Sequence, residues 1–328
     1  MKLVSLLKKN KLLKYIIKNQ RLKKEYISDY NFFKNNYSHS KETLNKIKYN
    51  MILIIHSLEK GMSNNELRPF GIKKVKELID LILKYESYTS DNCFEYDLSL
   101  SILFNYKKLY EEKKWNDNEE YAIVNDFIKN RKYLSMPAGS TTLYKDDFKE
   151  IIKNIDYDAF LSTRHAVRNF DSKGLKKEDI EKAVNMAIKS PSACNRQMVK
   201  VNYVTNNEKK NYIINNAQGL SGFELENINF FVITFDVNAN YFEGERNQGW
   251  FNSGLFSMNF VNAMHSLGIG SCFLQFGSRF KKEEEFKKIL EIPENERIAV
   301  IIAAGYYANE SKIPCSARKE IEDIYRVL

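Results

Sequence analysis

Apolar residues recur at three- and four-residue intervals through the first 130 positions, and the pattern changes near residue 160. The spacing predicts helices over 41–58, 72–87, 98–114 and 118–132, with turn residues Gly61, Pro69, Gly71 and Asn116-Asp117 between them. Ser135 to Thr142, with Met136-Pro137-Ala138-Gly139 inside it, reads as a loop. Beyond it helices and strands alternate. Ile180, Ala183, Val184, Ala187 and Ile188 mark a helix over 176–190, and Val199, Val201 and Tyr203 alternate like a half-exposed strand. The largely apolar run Ile228 to Phe235 suits a strand buried on both faces. Residues 250–267 form a helix apolar on most sides, expected to be central, and 270–275 and 298–304 read as two more buried strands. A mostly α-helical region, 1–157, therefore precedes a mixed α and β domain, 158–328.

Charge changes the picture at one end only. Residues 1–50 carry thirteen Lys and Arg against three Asp and Glu, so the net charge of +9 over 328 residues resides in a basic arm. That is unlike a nucleic-acid binder, which spreads its cations over a folded face, and no nucleic-acid partner is expected. Within the arm, about residues 1–25, Leu3, Leu6, Leu7, Leu13, Ile16 and Ile17 fall near one helical face, and Lys8, Lys9, Lys11, Lys14 and Lys18 occupy the rest. Such a helix either lies weakly on an anionic membrane surface or docks on its own protein or a dimer mate; docking is the commoner use. Apolar runs such as Met51 to Ile55 are far short of the roughly eighteen residues of a membrane span. The lysine-interrupted N-terminus does not read as a signal peptide. Four scattered cysteines, with no CxxC pair, fit a reducing compartment. The expected location is the cytoplasm, with the arm able to make it peripheral to the inner face of the membrane.

The sequence holds no GxSxG, GxxxxGK[ST] or HExxH pattern, and its four histidines are too dispersed for a metal site. Gly268-Ile269-Gly270 follows a helix and enters a strand, the reverse of a dinucleotide fingerprint. His56-Ser57-Leu58-Glu59-Lys60-Gly61 reads as a helix C-terminus with Gly61 as left-handed cap. Two clusters remain. In Ser162-Thr163-Arg164-His165-Ala166-Val167-Arg168, the arginines are four apart, so a helical turn would put both guanidinium groups on one face to grip a phosphate. In Ser190-Pro191-Ser192-Ala193-Cys194-Asn195-Arg196-Gln197, proline stops a helix and small residues allow close approach of a flat ligand, with Asn195 and Gln197 offering amides. Each cluster alone reads equally as an ordinary polar connection.

Together and in this order, the clusters make residues 158–328 resemble the FMN-dependent nitroreductase family. Leu267-Gly268-Ile269-Gly270-Ser271-Cys272-Phe273, the Leu290-Glu291-Ile292-Pro293 turn, Ala304-Gly305-Tyr306 and a closing segment with Pro314 and Arg318 extend the resemblance. It implies an α+β fold, a nitroreductase-like mixed central sheet flanked by helices, preceded here by the helical region. It also implies that Arg164, His165 and Arg318 hold the FMN phosphate and that Arg168 and Asn195 meet the pyrimidine edge of the flavin. Ser192 and Gln197 would belong to the same cofactor site, and the backbone of Phe273, Leu274, Gln275 and Phe276 would face the ring near N5. No side chain is then a catalytic nucleophile, and no metal is implied. Family members are homodimers with the flavin at the interface, and helix 250–267 is the candidate dimer core. Four positions depart from the family pattern: Ala166 replaces a serine, Met198-Val199 replaces Pro-Trp, and Ser316 replaces a lysine. The lost donor and cation would cost about 1–3 kcal/mol of FMN affinity.

The expected function is hydride transfer from NAD(P)H through FMN to a small-molecule acceptor, nitroaromatic, quinone-like or enone-like. Tyr241, Phe242, Trp250 and Phe251 are candidates for its pocket. The alternatives are a flavin-dependent dehydrogenase of a carrier- or peptide-bound substrate, and a non-enzymatic scaffold with a decayed flavin site.

Overall fold

A computed structural model describes residues 11–37, 39–64, 66–142, 144, 146–274 and 276–328. The first ten residues of the basic arm, Leu3, Leu6, Leu7, Lys8 and Lys9 among them, lie outside it, as does Gln275. Five helices open the described chain: α1 (Lys11–Asn36), α2 (Leu44–Met62), α3 (Ile72–Tyr88), α4 (Phe94–Glu112) and α5 (Glu119–Ile128). Thr43 caps α2 by accepting from the Lys46 N–H, and the Met51–Ile55 run sits in the centre of the helical core. Val75, Leu78, Ile79 and Ile82 of α3 and Ile102, Leu103, Tyr106 and Tyr110 of α4 close around it. The segment after α5 is irregular, as expected, yet well tied down: Asn105 Nδ2 donates to the Ala138 carbonyl (3.0 Å) and Ser140 Oγ to that of Met62 (3.2 Å).

Gly61 corrects one expectation. It lies inside α2, which runs on to Met62, and the left-handed glycine is Gly71, at φ 84° before α3. Gly61 instead makes room for Phe70: a Cβ there would stand 2.2 Å from the Phe70 ring. The Phe70 backbone cannot yield easily, because its N–H donates to Tyr110 Oη (2.8 Å) and its carbonyl accepts from Tyr106.

After α6 (Asp146–Lys153) and α7 (Tyr157–Thr163) the second half begins, with α8 (Lys177–Ala187), β1 (Val199–Val204), α9 (Asn207–Asn216), β2 (Asn229–Asp236), α10 (Gln248–Ser266), β3 (Ile269–Leu274), α11 (Phe280–Leu290) and β4 (Glu296–Tyr306). The strands form one sheet in the order β1-β2-β4-β3, each neighbouring pair antiparallel. The parallel element expected of a mixed sheet is limited to a bridge between Ala166 and Ser271 on the outer edge of β3. β2 is buried along its whole length, as its apolar run implies. Phe230 and Val232 pack under α9 and α11, whereas Phe231 and Ile233 pack under α8 and α10, the alternation of a strand covered on both faces. The fold is therefore α+β, three layers deep, preceded by the helical region.

The two halves share a core. Tyr49 of α2 packs with Met198, Phe235 and Val237, and Asn45 Nδ2 donates to Asp236 (3.4 Å). The last turns of α1 dock beside them: Asp29 pairs with Arg297 (3.0 Å), and the Phe280 N–H donates to Glu25 (2.7 Å). Leu12, Tyr15, Ile16 and Leu22, nearer the start of α1, remain exposed. No helix of the described residues is long and apolar enough to cross a membrane.

Candidate functional site

The arginine pair does not sit on a helical turn. α7 stops at Thr163, and Arg164 is already extended, at φ −80° and ψ 116°. Val167 N–H donates to the Ser271 carbonyl (3.1 Å), so 164–168 lies alongside β3 as a short strand-like strip. Because side chains alternate along extended backbone, Arg164 and Arg168 still share a face, now with Ala166 between them.

Among the described residues neither arginine has an ion-pair partner. Arg168 lies over the Phe223 ring at 5.9 Å. The strip's positive field is felt by its neighbours. His265, at the end of α10, accepts or donates to Thr163 Oγ1 (3.0 Å) and Tyr307 Oη (2.8 Å). Burial holds its pKa below the ordinary histidine value, and Arg164 and His165 add to the depression. Burial raises the Cys272 thiol, with Arg168 and Arg164 opposing it. Cations with no ion-pair partner among the described residues suit an anionic group.

The second cluster is a strained loop. Cys194, Asn195 and Gln197 have φ of 50°, 54° and 49°, left-handed values that non-glycine residues adopt at a cost. Arg196 holds the loop in that shape. Its side chain is 1% exposed, Nε donates to the Ala193 carbonyl (2.9 Å), and the guanidinium makes a two-pronged pair with Glu245 at 2.7 and 2.6 Å. Ser192 Oγ accepts from the Gln197 N–H (3.0 Å), so Ser192 is spent partly on the loop itself. Sequence reasoning passed over Arg196 as an unassigned position between Asn195 and Gln197, and Glu245 carried no local signal.

The chain does not bring the two clusters into one pocket. The loop feeds β1 at one edge of the sheet, and the arginine strip flanks β3 at the other. Along α10, the loop cluster lies with Asn252 and Phe256 and reaches Asn259, whose Nδ2 donates to Ser190 Oγ (2.8 Å), whereas the strip lies at His265. Six to thirteen residues of helix separate them, about 9–20 Å at 1.5 Å per residue. Arg318 is in the exposed stretch 312–328 and donates to the Ser316 carbonyl. Phe273 is 42% exposed at the end of β3, Leu274 is buried, and the Phe276 side chain packs on Phe286.

Two cavities adjoin these groups. One, about 310 Å³, lies against Ser192 and Gln197. The other, about 350 Å³, lies between Phe273 and the Trp250, Ser253 and Ser257 side of α10, where both serine hydroxyls are buried without a partner. Of the aromatic residues expected at the acceptor pocket, Trp250 lines this second cavity and stacks edge-on to Phe235 (4.9 Å); Tyr241 packs against His39 instead. Phe251 is 62% exposed on the same helix. No cluster of three metal-ligating side chains occurs among the described residues.

Residues 161–227 and 216–306 match the profile of the Nitroreductase family. The C-terminal half is a nitroreductase-family domain. Solved structures similar to it include a nitroreductase family protein from Streptococcus pneumoniae TIGR4, 21% identical, covering 53% of this chain and 100% of that one with a TM-score of 0.44. An FMN-dependent nitroreductase from Clostridium difficile R20291 is 21% identical, with 51% and 96% covered and a TM-score of 0.43. A nitroreductase family protein from Clostridium novyi NT is 18% identical, with 47% and 87% covered and a TM-score of 0.42. No curated protein matches the chain. The arginine strip, the strained loop and β3 all fall inside the matched span, and helices α1 to α5 precede the nitroreductase domain.

Proposed function

We propose that this protein is an FMN-dependent oxidoreductase that works as a homodimer and passes hydride from NAD(P)H to a small-molecule acceptor. The observation that carries the reading is the unpaired strip Arg164-His165-Ala166-Val167-Arg168 beside β3, within a nitroreductase-family domain. Bound FMN would supply reversible two-electron chemistry at its ring system. The chain's own residues would bind and orient it. Arg164 and His165 would take the phosphate, and Arg168 would stabilise negative charge on the pyrimidine edge. Backbone groups from Phe273 to Phe276 would limit water near the reacting edge.

The placement of the clusters at opposite edges of the sheet supports a dimer. Asn195 and Gln197 lie at the β1 edge, away from the arginine strip beside β3 of their own chain, so they would complete the site of a second copy. Phe251 and Met258, with the half-buried Leu255 between them, give α10 a partly exposed apolar side that would be covered by such pairing. Arg318, on the exposed closing stretch, would reach a phosphate in the same composite site.

FMN titration of the purified protein, followed by quenching of flavin fluorescence, tests the reading. Saturable one-to-one binding that is weakened in Arg164→Ala is expected. Absence of binding at excess FMN would refute it.

A further inference from the structure

We propose that α1 lies along an anionic bilayer surface and holds the nitroreductase domain peripherally against it. The helix is docked on the domain through its last turns. Glu25 Oε2 accepts from the Phe280 N–H (2.7 Å), Asp29 pairs with Arg297 (3.0 Å), and the Phe32 ring meets that of Phe280 edge-on. The half-buried Glu25, Ser28 and Phe32 mark the docked side. At about 100° per residue, Leu12, Tyr15, Ile16, Leu22, Tyr26 and Ile27 fall within an arc of about 140° on the opposite side, interrupted by Asn19 and Lys23. All six are 42–68% exposed. The stripe is about 22 Å long at 1.5 Å per residue, and α1 need not leave the domain to present it.

Charge selects what covers this stripe. Residues 1–24 carry nine Lys and Arg and no Asp or Glu, whereas the remaining 304 residues carry 42 of each sign. The whole net charge of +9 therefore belongs to the arm. A second copy of the chain would bring nine more cations to the same place, with no net negative charge elsewhere to offset them. An anionic bilayer offers headgroups for the cations and a hydrocarbon boundary for the stripe. The exposed Lys18 and Lys24 border the stripe on either side and Lys23 lies within it, so their stems can follow apolar surface while the ammonium groups reach the headgroups. Tyr15 and Tyr26, apolar with a polar tip, suit the same boundary. A nucleic acid would meet the cations but leave Leu12, Ile16, Leu22 and Ile27 in water.

This binding does not depend on the flavin. Co-sedimentation of the full-length protein with vesicles tests it, using phosphatidylcholine alone and equal parts phosphatidylcholine and phosphatidylglycerol. The anionic vesicles are expected to bind it at least ~10-fold more tightly than the neutral ones, with the difference shrinking as salt is added. Two triple variants at exposed positions, Lys18→Glu/Lys23→Glu/Lys24→Glu and Leu12→Ser/Ile16→Ser/Leu22→Ser, should each lose at least ~10-fold in affinity for the anionic vesicles. In a Tyr15→Trp chain, with the emission of the wild type's two tryptophans subtracted, the anionic vesicles should shift the new emission to shorter wavelength. Equal affinity for the two kinds of vesicle, or none for either, overturns the proposal. Anionic-vesicle binding that survives the serine variant but not the charge variant also overturns it, and reduces the arm to a binder of polyanions such as RNA. Self-association abolished by the serine variant, in a protein that binds no vesicle, would overturn it in favour of a second copy. If a triple variant fails to fold, an unmoved Tyr15→Trp emission overturns it as well.

Discussion

Arg196 and Glu245 form a buried two-pronged ion pair, at 2.7 and 2.6 Å, that links the strained 194–197 loop to the turn before α10. Three consecutive demands meet at this pair. The loop must hold left-handed residues, α2 must dock on it, and the cavity beside it must keep its shape. Removing one partner leaves the other charge buried and alone, so Arg196→Met should destabilise the protein by about 3–5 kcal/mol in urea denaturation. A loss below about 1 kcal/mol would mean that the loop holds itself.

The same pair sets a pH dependence. Burial alone would push Glu245 up, but hydrogen bonds from Arg196 and the Tyr241 N–H bring its pKa below the ordinary carboxylate value. A carboxylate with a depressed folded-state pKa stabilises fully above its ordinary value near 4.5 and loses that contribution as pH falls below it. Thermal melts from pH 6 down to pH 3 should therefore show a steeper fall for the wild type than for Glu245→Gln.

His265 reports on the arginine strip. Its folded-state pKa lies below the ordinary 6.5, from burial first and from Arg164 and His165 next. The neutral ring is therefore the form the fold holds, and its contribution to stability is lost as pH falls below 6.5. A phosphate on Arg164 and His165 would cancel part of the repulsion and raise the His265 titration. NMR titration of the imidazole should show that upward move on adding FMN. A titration unmoved by saturating FMN would place the phosphate elsewhere.

Gly61→Ala tests the helical core. The added methyl meets the Phe70 ring, whose backbone is pinned by Tyr106 and Tyr110. Overpacking costs about 1–3 kcal/mol and outweighs the ~1 kcal/mol gain in helix propensity, so a net loss of about 1 kcal/mol is expected in urea denaturation.

Much of this architecture was legible because it is written locally. The 3.6-residue spacing placed α2 to α5, α8 and α10, and the largely apolar run before Phe235 placed β2 in the middle of the sheet. Non-local pairing was not legible. The arginine strip is extended because Val167 bonds Ser271, more than a hundred residues later, and no local pattern announces that. Gly61 read as a cap because its partner, Phe70, acts through a ring contact rather than through φ. The loop's small residues read as room for a flat ligand, whereas the left-handed φ of Cys194, Asn195 and Gln197 carries no local signal.

Whether the composite site is assembled from two copies is open to a complementation experiment. Arg168→Ala and Asn195→Ala chains should each bind FMN weakly alone, by about 10- to 100-fold given 1.5–3 kcal/mol per charged hydrogen bond. Co-expressed, mixed dimers would carry one intact site and regain tight binding at half stoichiometry. No recovery on mixing would place both clusters in a single-chain site.

The most direct test of the central claim is the absorption spectrum of the FMN-loaded protein under anaerobic conditions, before and after adding NADH and then NADPH. The account predicts flavin bands that bleach with one of the two nucleotides and return on adding 2-methyl-1,4-naphthoquinone. Flavin bands that neither nucleotide bleaches would contradict it, and would point to reduction by a carrier- or peptide-bound substrate.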